Sequence, residues 1–118
     1  MKDIVFLNLN DVLRIYKKII PNSSLTNAVR DLKLLDSAVA QPQITMFGQY
    51  LYKDIFEMAA AYFFHIIKNH PFVDGNKRTG LVVAITFLER NEIIVDNEIL
   101  NNKRLNLFNF TINSSVKH

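Results

Sequence analysis

The stretch His70-Pro71-Phe72-Val73-Asp74-Gly75-Asn76-Lys77-Arg78-Thr79-Gly80 gathers, in a few turns of chain, the side chains that phosphate chemistry needs. An imidazole with an ordinary pKa of about 6.5, as at His70, can take a proton from a hydroxyl near neutral pH. Lys77 and Arg78 fall where the flanking pattern predicts the first turn of a helix. The positive end of the helix dipole disfavours cations there by roughly 0.3–1 kcal/mol each. A bound anion would offset that cost, and the N–H groups that follow Gly75 and Asn76 at a helix start already form an anion site. Phosphate is the ligand on which these features converge. Asp74, just before them, offers an oxygen ligand suited to Mg²⁺, which takes one or two carboxylates together with phosphate oxygens. Phe72 is expected to enter the core and pin the loop. A blander reading stands beside this one: Asp-Gly is a common hairpin turn, and a histidine beside proline is often a cap or a packed residue. It accounts less well for the helical patterning on both flanks and for the paired cations.

Two apolar segments must position this stretch. From Asp54, Ile55 to Ile67 is apolar on nearly every face, which predicts a helix buried all round. Leu81 to Leu88 repeats the pattern after the motif, and Gly80, which costs a helix roughly 1 kcal/mol relative to alanine, suggests close helix packing. Upstream, Asn10 as N-cap, Asp11 in the first turn, Lys17 and Lys18 in the last and Pro21 as a stop define an amphipathic helix. Residues Asn22 to Asn27 read as a loop. A second helix is expected from Asp31 as cap, through Leu32, Leu35, Ala38 and Val39, to Pro42. Gln43 to Tyr52, with alternating aromatic and polar residues around Gly48, reads as an extended flap or hairpin, either a plain connection or an edge that docks a substrate. Beyond Ile93-Ile94-Val95, Asp96 is expected to cap a last helix through Leu105, Leu107, Phe108 and Phe110, and residues 113–118 to be disordered. One domain over residues 1–112 is expected, all-α in class.

Size and composition agree. The chain has 118 residues, 49% hydrophobic and 11% aromatic, with three glycines and three prolines, enough for one packed core. The absence of cysteine excludes disulfides and thiolate metal sites and suits a reducing, cytoplasmic setting. The apolar runs fall short of the roughly 20 residues of a spanning helix, and the N-terminus lacks a signal-peptide pattern, so a soluble chain with no membrane association is expected. The net charge of +3 is spread over small groups, and calls for no direct nucleic-acid binding. Arg14, Lys17 and Lys18 read as a solvated face. His65, five residues from His70, lacks the i, i+4 spacing of a zinc pair and reads as packed. No G-x-S-x-G or P-loop pattern is present.

The string HPFVDGNKR resembles the motif of the Fic/Doc superfamily, H-x-F-x-(D/E)-G-N followed by a basic residue, and its Lys77 makes it similar to the Doc (death-on-curing) branch. The likeness extends through Leu35-Asp36-Ser37-Ala38, Pro42-Gln43, Phe47-Gly48, Leu51-Tyr52 and the alanine-rich helix, over about residues 9 to 100 by eye. The resemblance implies a compact helical bundle with a short flap, lacking the last helix if the chain stops short of the usual Doc length. It implies a toxin of a toxin–antitoxin system that transfers part of ATP to a protein hydroxyl. By position His70 would be the general base, Asp74 the Mg²⁺ ligand, Gly75 and Asn76 the phosphate-binding loop, and Lys77 and Arg78 phosphate contacts. Adenylylating Fic proteins carry glycine where this chain has Lys77 and a second arginine where it has Leu81. The lysine version implies ATP held in the reversed sense, presenting the γ-phosphate, and so a protein Ser/Thr kinase that blocks translation by modifying a threonine of elongation factor Tu. A Phd-type antitoxin is the implied partner. Adenylyl transfer, and a catalytically silent binding module, remain the alternatives.

Overall fold

A computed structural model of the chain describes residues 3–22 and 24–96. Five α-helices and a two-stranded hairpin make up the described residues: α1 (Leu9–Ile19), α2 (Leu25–Ala28), α3 (Leu32–Ala40), β1 (Thr45–Met46), β2 (Gln49–Tyr50), α4 (Ile55–Asn69) and α5 (Asn76–Arg90), with a 3-10 turn at Gln41–Gln43. The all-α expectation with a short flap holds. The expected last helix through Phe110 and the tail lie outside the described residues.

The cap of α1 differs from expectation. Asn8, not Asn10, is the N-cap: its side chain accepts from the Asp11 N–H, and the Asp11 carboxylate accepts from the Asn8 N–H, both at 2.9 Å. This reciprocal box needs an acid three residues after the cap, and Asp11 stands at that distance from Asn8. Residues expected as loop contain α2, because the Ser24 carbonyl accepts from both Asn27 and Ala28 N–H and closes one helical turn over buried Ala28. Asp31 caps α3 as expected, its carboxylate accepting from Leu34 N–H at 3.0 Å.

The flap is a hairpin whose register pairs Thr45 with Tyr50 and Met46 with Gln49. Its two turn residues, Phe47 and Gly48, both have positive φ (52° and 78°), as the two-residue turns matching strand twist require. Phe47, at the tip, is 98% exposed.

Helices α4 and α5 form the most extensive contact among the described elements and bracket the motif loop. Gly80 permits their approach: a Cβ there would stand 3.1 Å from Phe63 Cδ1 and 3.4 Å from the Phe63 carbonyl oxygen. The α4 helix is not buried all round. Phe64 is 47% exposed, with Lys68 Nζ 5.8 Å from its ring centre. Glu57 and Lys68, seven residues before and four after Phe64, are exposed on the same side of the helix and mark it as the outer face; Val82 of α5 is likewise exposed. The core joins Tyr16, Leu35, Met58, Tyr62, Phe63, Phe72 and Phe87. An extended N-terminal segment is stitched across it. The Tyr62 hydroxyl accepts from Leu7 N–H (2.9 Å) and donates to Leu7 O (3.2 Å), and the Asn91 amide does the same for Val5 at 2.9 Å each. No helix among the described residues is long and apolar enough to cross a membrane.

Candidate active site

His70 ends α4. Its N–H still reaches the Ile66 carbonyl at 3.2 Å, but its backbone turns left-handed (φ 49°, ψ 54°), a conformation histidine adopts more readily than most non-glycine residues. Arg30, 40 residues upstream, holds that turn. Its Nε donates to His70 O at 2.8 Å and its terminal nitrogen to Asn69 O at 3.1 Å, at the end of a helix whose carbonyls attract cations. The Pro71 carbonyl accepts from Arg30 and Asp31 N–H (2.7 and 3.2 Å), Val73 N–H donates to Ala28 O at 2.8 Å, and Val29 bridges Phe72. The 28–31 segment therefore runs beside the motif as a short strand-like brace. Sequence reasoning missed Arg30; the only local signal was a basic residue directly before the α3 cap.

Phe72 is fully buried, as expected, and stacks on Tyr16 with ring centres 3.9 Å apart and planes 7° apart. The Tyr16 hydroxyl donates to Asp74 O at 3.1 Å, so α1 grips the loop at two points. Gly75 precedes α5 with φ 83°, and a Cβ there would meet Ile20 Cδ1 at 2.6 Å. The left-handed backbone is what favours glycine here, since the Ile20 methyl is the end of a flexible side chain and can shift.

Asn76, the first residue of α5 and only 8% exposed, ties the loop to itself. Its Oδ1 accepts from Phe72 N–H at 3.0 Å; its Nδ2 donates to Phe72 O at 2.9 Å and lies 2.7 Å from His70 Nδ1. The side chain is thus committed to the loop and to His70, which leaves its backbone N–H as its group for an anion. The structure brings His70 and Asn76 into direct contact and sets Lys77 and Arg78, both exposed, in the first turn of α5, at the positive end of the helix dipole.

Asp74 is exposed, with Oδ1 accepting from Gly75 N–H at 2.8 Å. No group of three His, Asp or Glu able to hold a metal occurs among the described residues. A lone carboxylate beside a helix start could hold Mg²⁺ only if phosphate oxygens supplied its other ligands. His65 lies elsewhere on α4, its Nε2 3.4 Å from the Tyr52 hydroxyl, and burial followed by the Lys68 charge lowers its pKa, which fits a packed residue.

Comparison with known proteins follows the same stretch. The model of the Fic/DOC family matches residues 6–88. "Toxin Doc" of Mycolicibacterium smegmatis is 48% identical over 65 residues, covering 55% of this chain and 50% of that protein. "Protein kinase doc" of Escherichia phage P1 is 45% identical over 42 residues, covering 36% of this chain and 33% of that protein. The chain thus spans half the length of the first of these relatives and a third of the second. No solved structure matches it significantly.

Proposed function

The chain belongs to the Fic/DOC family, and from that premise we propose that it is a Doc-like toxin that transfers the γ-phosphate of ATP to a protein hydroxyl. The observation that carries this reading is the contact between His70 and the first residue of α5. The residue proposed as base and the helix start proposed to hold phosphate are tied into one unit, an arrangement that would set a hydroxyl and a phosphoryl group side by side. In this reading ATP is the substrate. Its phosphates lie against the first turn of α5, held by backbone N–H groups of that turn and by the side chains of Lys77 and Arg78. Asp74 would hold Mg²⁺, which neutralises phosphate charge when bound. His70 takes the hydroxyl proton through Nε2. The name of one relative, a protein kinase, supports the kinase reading over adenylyl transfer, as does Lys77 where adenylylating relatives carry glycine; the name of the other, a toxin, supports the toxin reading.

The flap would receive the target segment. Its short strands, with exposed Met46 and Tyr50 and with Phe47 exposed at the turn, suit an extended peptide added along one edge. A threonine of elongation factor Tu is the proposed acceptor, with arrest of translation as the result, and a Phd-type antitoxin the proposed neutralising partner. Expression in bacteria tests the reading: the parent chain should arrest growth and the His70→Ala chain should not. Equal growth of both, with the parent soluble and folded, would count against a toxin.

A further inference from the structure

Base action at His70 Nε2 needs a lone pair on that nitrogen, and the hydrogen bonds at Nδ1 decide whether it is there. The Asn76 amide cannot be turned over, because its Oδ1 takes the Phe72 N–H at 3.0 Å. The group facing the ring is therefore the NH₂, which has two protons to give and accepts none. One proton goes to Phe72 O at 2.9 Å; the other points at His70 Nδ1, 2.7 Å away. For this contact Nδ1 must supply its lone pair, and the neutral ring then carries its proton on Nε2. A second arrangement lies close by. The Phe72 carbonyl is 3.2 Å from Nδ1 and could accept a hydrogen bond from an Nδ1–H, but that hydrogen would face the Asn76 NH₂. The two arrangements exclude each other, and the shorter contact favours the first.

We propose that Asn76 is a positioning residue that latches ligand-free His70 in the Nε2–H tautomer, and that the base-competent ring forms when the amide yields Nδ1, which then carries the proton and donates a hydrogen bond to the Phe72 carbonyl. The exchange is balanced: Nε2 releases one proton to water, Nδ1 gains one from water, and the ring stays neutral. Its meaning for catalysis rests on His70 being the base of the proposed kinase; the tautomer itself does not.

Long-range ¹H–¹⁵N correlation spectra of the full ligand-free chain, at a pH where the imidazole is neutral, read the tautomer without any activity assay. Signals of His70 are identified by their loss in His70→Ala. The expected pattern is an unprotonated nitrogen at Nδ1 and a protonated one at Nε2. In Asn76→Asp, whose carboxylate can only accept, the two signals should exchange character. If that variant fails to fold, the parent spectrum decides alone. A parent ring protonated at Nδ1 overturns the latch, as does a folded Asn76→Asp chain with the parental pattern. A toxin that arrests growth but shows the Nδ1–H ring would leave the proposed function standing and the latch refuted. A folded chain that shows the Nε2–H ring but leaves growth unchanged would support the latch and refute the toxin.

Discussion

Arg30 sits outside the motif and yet touches the residue on which the motif depends. Its guanidinium bonds two successive carbonyls, Asn69 and His70, and its own N–H reaches the third, Pro71. A fork of fixed geometry does this where the single ammonium of lysine cannot. On the proposed activity, Arg30→Ala should lower kcat by about a hundredfold with little change in KM for ATP, because the base is displaced while the phosphate site at α5 is left alone. Arg30→Lys should recover only part of the loss. A steady-state comparison checks this, and a parental kcat in Arg30→Ala would contradict it. His70, Asp74, Gly75, Asn76, Lys77 and Arg78 could be singled out as candidates in the sequence because the motif is local and its residue types suggest a chemistry. Arg30 was not, since its role arises from tertiary contact across 40 residues. Nor was the commitment of the Asn76 side chain, which depends on the loop folding back so that Phe72 faces it.

Between elements, the α4–α5 contact turns on Gly80. Alanine there would gain about 1 kcal/mol of helix propensity. Its methyl would press on Phe63, a fully buried ring and a fixed carbonyl, and overpacking of this kind costs roughly 1–3 kcal/mol. Gly80→Ala should therefore be destabilised by about 1 kcal/mol net in urea unfolding; a more stable variant would show that the helices can separate freely. The N-terminal segment depends on Tyr62, whose hydroxyl burial pushes up to about 12. A pKa raised on folding means that the native state keeps its proton longer. Stability is then complete below about pH 10, the value of an unburied tyrosine, and falls as pH rises toward 12. Tyr62→Phe should lose this alkaline slope and also cost about 1–3 kcal/mol by leaving the Leu7 N–H and carbonyl unpaired. Helix order and the flap could be read from periodicity and turn residues. The α1 cap could not be chosen between Asn8 and Asn10 without weighing the reciprocal bond to Asp11, and α2 is a single turn, too short for any periodic pattern.

Across the whole molecule, Asp11 links the start of α1 to the end of α5. The Asn8 backbone hydrogen bond is the main cause that holds its carboxyl below the ordinary range; Arg90 at 3.3 Å and Arg14 add to this, and together they outweigh the opposing effect of burial. A folded-state pKa below the unfolded one contributes stability above the unfolded value, about 3.9, that is lost as pH falls through the lower folded value. Urea midpoints followed from about pH 5 to pH 2 should drop for the parent and drop less for Asp11→Asn, which starts from a lower stability. Identical slopes would mean that the linkage is not part of the fold's stability. The same bundle that Asp11 ties together carries the motif loop between its two central helices, and the central claim is that this loop delivers the γ-phosphate to a protein hydroxyl. Incubation of the purified chain with elongation factor Tu and ATP labelled at either the γ- or the α-phosphate tests it most directly. Label on the protein from the γ position, none from the α position, and none from either with His70→Ala is the predicted result. Label from the α position would contradict it.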